Sequence, residues 1–461
     1  MLFSGIPFLY YFLPAVLILY FLMPRGLKNG FLLLASLLFY AWGEPVYVLL
    51  MTGSIVSFWG YGLLIQHSQN AALRKLWLTA AVLTGAAMLV VFKYADFAIE
   101  NWNALTGMSV PLLKLALPIG ISFYTFQCVS YAVDVYRQDV HAQRNIIHFG
   151  TYVALFPQLI AGPIVRYVDI AQELEDRRAA WADVAHGLFG FLIGLGKKVL
   201  IANPLGELTT LFRQSGEKSV LFYWLYAVAF TLHIYFDFSG YSDMAIGLGR
   251  CFGFRFPRNF NYPYISRSIT EFWRRWHMTL GGWFRDYVYI PLGGNRVGKW
   301  KWLRNILAVW LLTGLWHGAA WNFVVWGLLF AAMLLIEKYL PLHKLPDVLR
   351  HGYVLLVVCI SFVIFNAADM TQALQDLGGM FGFAGVPLIS TQAVYYLRSY
   401  GVLLIVGILG STPLVYKAGV RCLDKWSGGS ILVPVAALAL LLVCTAYLVD
   451  GSFNPFLYFR F

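Results

Sequence analysis

Residues 431–449 read ILVPVAALALLLVCTAYLV, nineteen residues without a charged side chain. About 20 consecutive apolar residues form a helix that crosses the ~30 Å hydrocarbon core of a bilayer. Further apolar runs recur from residue 8 onward, and no polar block between them is long enough to fold separately. The pattern predicts an all-α polytopic membrane protein with one embedded domain over residues 1–461.

The composition excludes two other classes of protein. Apolar residues make up 60% of the chain and charged residues 12%, against roughly 25% charged in soluble domains. The 16 Trp, 28 Tyr and 36 Phe exclude a disordered chain. Five scattered cysteines provide no disulfide framework and no zinc spacing, so we expect no metal.

Several apolar segments are too short for a simple crossing. They lie near residues 8–23, 31–41, 46–65, 77–92, 111–133, 149–165, 184–202, 220–236, 303–316, 321–336, 353–367, 401–416 and 431–449. Gly43, Glu44 and Pro45 separate two of them, and Pro157 interrupts another. We therefore predict 11 to 13 transmembrane, re-entrant and interfacial helices. Cations in alternate loops predict a retained first span with its N-terminus outside.

One segment carries most of the positive charge. Residues 250–304 hold 11 Lys or Arg and two acids, a net +9 of the total +12. Retention in the cytoplasm and attraction to anionic membrane lipid are one explanation. Trp273, Trp276 and Trp283 alternate with the cations, which also suits a pocket for a phosphorylated, stacking ligand. No recognition module for nucleic acid is present.

Two histidines are candidates for chemistry. His317 comes at the end of an apolar run and has Gly314 and Gly318 as neighbours. His277 follows Arg274 and Arg275 in the basic segment. A neutral imidazole at His317 can act as a general base, although a hydrogen-bonded core histidine is the alternative. His233 and Asp237 share a helix face and are expected to be structural, and Asp237 and Asp243 each need a partner such as an arginine of the basic segment. A nucleophile elbow, a Walker loop and a dinucleotide fingerprint are missing, so we expect no nucleotide redox cofactor.

Seven blocks of sequence, in this order, resemble the membrane-bound O-acyltransferases, in the branch of alginate O-acetyltransferase subunit I and the teichoic-acid D-alanylation protein DltB. They are LPIGISFYTF (117–126), FPQLIAGP (156–163), YFDFSGYSD (235–243), NFNYP (259–263), EFWRRWH (271–277), YIPLGGNR (289–296) and GLWHG (314–318). The resemblance implies helices around a central funnel in the cytoplasmic (inner) membrane of a bacterium. It also implies acyl transfer, most readily from acetyl-CoA, to an exported polysaccharide with an extracytoplasmic SGNH-type acyltransferase as partner.

The residue patterns and the resemblance together give the expected site residues. His317 and His277 are expected to be catalytic, and donor binding is expected from Arg274, Arg275, Arg285 and Trp276. Asp237, Asp243 and Asn322 are expected to be supporting polar residues.

The C-terminal aromatic motif, residues 454–461, resembles the ending found in the same branch. Tyr458 is a candidate acyl relay, with an interfacial aromatic anchor as the alternative. Three other functions stay open at this point: D-alanyl transfer from a carrier protein to teichoic acid, transport of acyl groups or lipid-linked sugars without catalysis, and a structural scaffold for polysaccharide export.

Overall fold

The computed structural model describes residues 3–425, 429–451, 456 and 457. Helices are the regular structure of this part of the chain, which contains no strand, so the predicted all-α class is confirmed. The α-helices are α1 Leu13–Leu22, α2 Lys28–Gly43, α3 Tyr47–His67, α4 Ala71–Leu89, α5 Ala95–Thr106, α6 Ile121–Arg137, α7 Ile146–Ala154, α8 Phe156–Leu159, α9 Tyr167–Glu175, α10 Trp181–Gly196, α11 Asn203–Gln214, α12 Val220–Cys251, α13 Ile269–Arg275, α14 Met278–Phe284, α15 Lys299–His317, α16 Trp321–Tyr339, α17 Asp347–Asn366, α18 Met370–Met380, α19 Thr391–Gly410, α20 Leu414–Lys425 and α21 Gly429–Asp450.

Eight helical stretches of the described chain are long and apolar enough to cross a membrane. They are Tyr47–His67, Ala71–Thr106, Trp181–Gln214, Val220–Cys251, Trp321–Tyr339, Asp347–Asn366, Thr391–Gly410 and Ile431–Asp450. Two of them are continuous because π-helical turns at Val90–Tyr94 and Lys197–Ala202 join successive α-helices. The protein is therefore a multi-pass membrane protein.

The apolar segment at residues 111–133 is not helical over its first part. Helix α6 begins only at Ile121, and the carboxylate of Asp96 accepts the backbone N–H groups of Leu113 (2.7 Å) and Lys114 (2.9 Å) instead. Pro118 explains the late start, because a proline lacks an N–H and keeps the residue before it out of the helical region. The interruption predicted near Pro157 is confirmed: α7 ends at Ala154 and α8 begins at Phe156.

The chain divides into two compact units, Met1–Phe191 with Ser242–Arg258 and Leu192–Tyr241 with Asn259–Phe461. Helices α10 and α12 contribute residues to both units, and the single domain expected from the sequence stays a prediction. In the first unit, the Arg177 guanidinium donates to Asn29 Oδ1 (2.6 Å) and to the carbonyl of Phe252 (3.0 Å), which ties α2 to the end of α12.

The second unit contains both candidate histidines. Its core is strongly aromatic and is built from α11, the first part of α12, α13 and α15–α19. Helices α15 and α16 form an antiparallel pair. Helices α13 and α17 each pack against α16. This arrangement surrounds the end of α15, where the candidate site lies.

Candidate active site

His317 is the last residue of α15, and the packing of α15 against α16 fixes its position. A Cβ on Gly314 would lie 2.4 Å from the carbonyl oxygen of Phe323, and a Cβ on Gly327 would lie 2.4 Å from the carbonyl oxygen of Trp310. Such contacts exclude any side chain at these positions, as at other close helix pairs in membranes. The two backbones therefore meet at the turn that carries His317.

Aromatic rings enclose the imidazole of His317. His317 is 5% exposed. The ring centroids of Trp316, Trp326 and Phe365 lie 4.8, 5.0 and 5.2 Å from the centroid of its imidazole, in edge-to-face geometry. The C-terminal end of a helix carries a partial negative charge that favours a cation. The imidazole of His317 therefore lies at the end of a helix, in a largely aromatic environment with little exposure to solvent.

His277 joins the short helices α13 and α14 in a left-handed conformation, with φ 45° and ψ 51°. Its Nδ1 lies 3.0 Å from Oδ1 of Asn259, which also accepts the Thr279 hydroxyl at 2.9 Å. Because an amide oxygen can only accept, Nδ1 carries the proton and Nε2 is the acceptor of the neutral ring. Burial lowers the pKa of His277 to about 3, so this imidazole is neutral at pH 7.

One indole links the two histidines. The ring centroid of Trp316 lies 5.8 Å from that of His277 and 4.8 Å from that of His317. The structure therefore brings together two residues that are forty positions apart in the sequence. The catalytic role expected of each stays a prediction.

A cavity of about 910 Å³ lies beside this cluster in the same unit. Its described lining includes five permanent cations, Arg267, Arg274, Arg285, Lys338 and Arg350, and one acid, Glu337. These six groups leave a net charge of +4. The Glu337 carboxylate is already engaged, since it accepts the backbone N–H groups of Ile269 and Thr270 at the start of α13. Three of the cations also form ion pairs with acids outside the described lining: Arg267 and Arg350 with Asp347, and Arg285 with Asp286. The lining side chains are therefore net positive, and nearby acids offset part of that charge.

Three indoles contribute to the apolar part of the cavity wall: Trp273, Trp302 and Trp310. The Lys338 ammonium lies 3.2 Å from the centroid of the Trp302 ring. Trp273 contacts both Trp310 (4.8 Å) and Trp326 (5.7 Å), and Trp326 contacts His317. Aromatic contacts therefore run without a break from the cavity to His317. Thr313, one helical turn before His317, also lines the cavity.

The arginines expected to bind the donor have different positions. Arg274 and Arg285 line the cavity, and Arg285 also pairs with Asp286 at 2.7 Å. Arg275 is not among the described lining residues. It pairs with Glu271 (2.9 Å) and donates to the carbonyl of Asn261 (3.1 Å). Donor contact is thus geometrically open to two of the three arginines.

Trp276, also expected at the donor site, belongs to the core. It is 4% exposed and packs against Phe272 and Phe362 at 5.6 and 5.1 Å. The sequence analysis did not single out Lys338 or Arg350 for the cavity. Both lie between the apolar runs at residues 321–336 and 353–367. A search for cations in the loops between apolar runs would therefore have found them.

The three supporting polar residues lie in different places. Asp237 is 1% exposed and pairs with Lys198 at 2.5 Å, so its partner is a lysine outside the basic segment and not an arginine within it. Asp243 is half-buried and belongs to the other compact unit. Asn322 is 1% exposed, and its Nδ2 donates to the carbonyls of Ile364 (3.3 Å) and Ala367 (2.9 Å), which links α16 to the end of α17.

Two other expectations concern the C-terminal motif and metals. Of residues 454–461, only Phe456 and Leu457 are described, so Tyr458 lies outside the described residues. Within the described part of the chain, no group of three or more His, Cys, Asp or Glu side chains is arranged to hold a metal ion.

Comparison with known proteins identifies the family. The model of the membrane-bound O-acyltransferase family matches residues 121–365, which include both histidines and all the described residues of the cavity lining. The probable alginate O-acetylase AlgI of Azotobacter vinelandii is 39% identical over the full length of both chains. The peptidoglycan O-acetyltransferase of Helicobacter pylori is 35% identical over 86% of this chain and 83% of its own.

A more distant relative has a different acyl group in its name. The teichoic acid D-alanyltransferase of Bacillus subtilis is 29% identical over 54% of this chain and 68% of its own. The family model and the full-length relatives, taken with a buried histidine beside an electropositive cavity, show that this chain belongs to the membrane-bound O-acyltransferase family and is an acyltransferase.

Proposed function

We propose that the protein moves an acetyl group from cytoplasmic acetyl-CoA across the inner membrane of a bacterium, for O-acetylation of an exported cell-surface polysaccharide. The observation that carries this proposal is the electropositive, indole-lined cavity that reaches Thr313, one turn before His317. The lining offers one surface for phosphates and another for a purine ring, and both are present in coenzyme A.

The size and charge of the cavity support a nucleotide-bearing thioester. Pockets for small ligands measure about 300–1,000 Å³, and this one, at about 910 Å³, is near the upper end. Arg274 and Arg285 are available at its wall for charge-assisted hydrogen bonds to phosphate. Trp302 and Trp310 line the wall and give it aromatic surface for contact with a base. The acyl end of such a ligand then extends toward Thr313.

His317 is proposed as the general base. It takes the proton of the attacking hydroxyl, the hydroxyl oxygen bonds to the acyl carbon, the C–S bond breaks, and the proton returns to the thiolate to release free CoA. The helix end stabilises the intermediate imidazolium. His277, with a pKa of about 3, is too weak a base for this step and is proposed to accept a hydrogen bond through Nε2.

The attacking hydroxyl is proposed to be that of Tyr458, which afterwards passes the acetyl group to an extracytoplasmic SGNH-type acyltransferase. A covalent relay divides one transfer across the membrane into two easier steps. An acetyl group is favoured over D-alanine because an O-acetylase relative matches the chain over its full length, whereas the D-alanyltransferase of Bacillus subtilis matches over 54%.

The test is release of free thiol from labelled acetyl-CoA by purified protein in nanodiscs. We expect His317→Ala to lower the rate at least 100-fold, the usual contribution of general base catalysis. His67→Ala is the matched control, because His67 is exposed at the end of α3, and it is expected to keep the wild-type rate. Equal rates in the wild type and His317→Ala would show that the base is not His317.

A further inference from the structure

The buried pair of Lys198 and Asp237 is a second polar centre in the unit that contains His317. Both residues are at most 1% exposed, and the Nζ–Oδ1 distance is 2.5 Å. Lys198 lies in the π-helical turn between α10 and α11, and Asp237 lies in the middle of α12. A charge pair in the interior of a membrane protein is costly and therefore indicates a function.

The pair makes two contacts with described residues of the C-terminal motif. Asp237 Oδ2 accepts the backbone N–H of Leu457 at 2.8 Å, so each carboxylate oxygen has its own partner. The Lys198 ammonium lies 4.6 Å from the centroid of the Phe456 ring. Tyr241, one turn after Asp237, meets the same ring edge-to-face at 4.7 Å. Lysine, aspartate and tyrosine together form a binding site for residues 456–457.

The bound segment is part of the core. Phe456 is 1% exposed and Leu457 is 7% exposed. Leu457 belongs to the same buried cluster as Trp326 and Phe365, whose rings flank His317. A buried backbone N–H needs an acceptor to replace the hydrogen bond that it forms with water in the unfolded chain. Asp237 supplies it, and Lys198 neutralises the carboxylate.

We propose that Lys198 and Asp237 are positioning residues that anchor the C-terminal segment through Leu457 and thereby hold Tyr458, the next residue, for acyl transfer at His317. This inference rests on the relay in the proposed function. In this role the ion pair does more than link two helices. The carboxylate of Asp237 accepts the Leu457 N–H and so fixes the position of the C-terminal segment relative to α12.

Two matched double variants separate anchoring from mere ion pairing. Lys198→Met with Asp237→Leu removes both charges and the acceptor, whereas Lys198→Met with Asp237→Asn removes both charges but keeps an acceptor oxygen. Asn and Leu have nearly the same shape, so the variants differ chiefly in the oxygen that meets Leu457 N–H. Replacement of a buried pair by neutral side chains is often tolerated, and a thermal melt checks that both variants fold.

The first readout is hydrogen exchange at the Leu457 amide, measured by mass spectrometry with fragmentation in nanodiscs. We expect at least tenfold faster exchange with the leucine variant and near wild-type protection with the asparagine variant. The second readout is acetyl label on Tyr458 after incubation with labelled acetyl-CoA. We expect at least tenfold less label with the leucine variant, and clear label with the asparagine variant.

Equal exchange in the two variants would overturn the anchor, because a purely structural ion pair predicts equal behaviour. Faster exchange in the leucine variant with undiminished label on Tyr458 would overturn the positioning role. Failure of the proposed function has a different signature, since wild-type protein would then carry no label on Tyr458 at all. That result would also overturn the positioning role, and the exchange data would still decide whether Asp237 anchors the segment.

Discussion

Gly314 on α15 lies directly against the backbone of Phe323 on α16, so closely that a Cβ on the glycine would be 2.4 Å from the phenylalanine carbonyl oxygen. No real Cβ tolerates that distance, and a backbone atom cannot rotate away. The contact lies one turn before His317, so the spacing of the two helices and the position of the imidazole are set by the same glycine.

Gly314→Ala is therefore expected to reduce both stability and activity. Overpacking of a tight interface costs about 1–3 kcal/mol, and displacement of α15 moves His317 away from Trp326. We expect a lower melting temperature in detergent and at least a tenfold lower rate of CoA release. Gly352→Ala on α17 is the control, because nothing lies within 4 Å of its added Cβ. A Gly314→Ala protein with the wild-type melting temperature would contradict the packing argument.

His277 is expected to make the protein sensitive to acid. Burial lowers its pKa from 6.5 to about 3, so between these values the unfolded chain binds a proton that the folded protein excludes. The stabilisation by the neutral ring is complete above about pH 6.5 and is lost as the pH falls toward 3, at up to about 1.4 kcal/mol per pH unit.

The measurement is the melting temperature in detergent at pH 7.5 and pH 5.0. The variant is His277→Asn, because asparagine also tolerates the left-handed backbone and does not titrate. We expect a clearly smaller drop between the two pH values than in the wild type. The same drop in both proteins would mean that other groups cause the acid sensitivity.

The sequence predicts the helical class and both histidines for different reasons. The charge-free run at 431–449 needs no tertiary context, because a bilayer allows few alternatives to a helix. His317 and His277 are identified by their unusual neighbours in the sequence. Their shared contact with Trp316 could not be predicted, since it depends on how α13 and α15 pack.

Side-chain direction is the main reason why the sequence could not predict which arginines line the cavity. Arg274 and Arg275 are adjacent in sequence, yet the first lines the cavity and the second turns to Glu271. One step along a helix rotates a side chain by about 100°, and composition does not say which face meets the cavity. The partner of Asp237 was missed for a similar reason, since Lys198 is distant in sequence and lies in an irregular turn.

Asn322→Ala is expected to weaken the link between α16 and α17. Asn322 donates to two carbonyls at the end of α17, where helix geometry leaves carbonyl groups without internal partners. Loss of the donor leaves them buried and unpaired, at about 1–3 kcal/mol. Because Phe365 near this end packs on His317, we expect a lower melting temperature and a lower kcat, with an unchanged KM for acetyl-CoA.

The control for Asn322 is Gln372→Ala, which removes an exposed side chain–backbone hydrogen bond on α18. We expect that variant to lie within about 0.5 kcal/mol of the wild type, as other surface changes do. A raised KM in Asn322→Ala, with stability intact, would instead indicate direct contact of the amide with substrate.

Arg274→Ala and Arg275→Ala form the sharpest test of the donor cavity, because the two residues are neighbours in sequence and have the same charge. Arg274 lines the cavity, so its loss removes a cation from the proposed phosphate site, and charged hydrogen bonds contribute about 1.5–3 kcal/mol. We expect KM for acetyl-CoA to rise roughly tenfold or more at low salt. The difference in KM from the wild type is expected to narrow at 300 mM salt, because screening weakens the contact.

Arg275 pairs with Glu271 outside the described lining, so its loss is expected to leave KM within about twofold and to lower stability by roughly 1 kcal/mol or less. Steady-state kinetics of thiol release at the two salt concentrations provide the measurement. An equal rise of KM in both variants would mean that long-range charge of the whole segment, and not the wall of this cavity, attracts the donor.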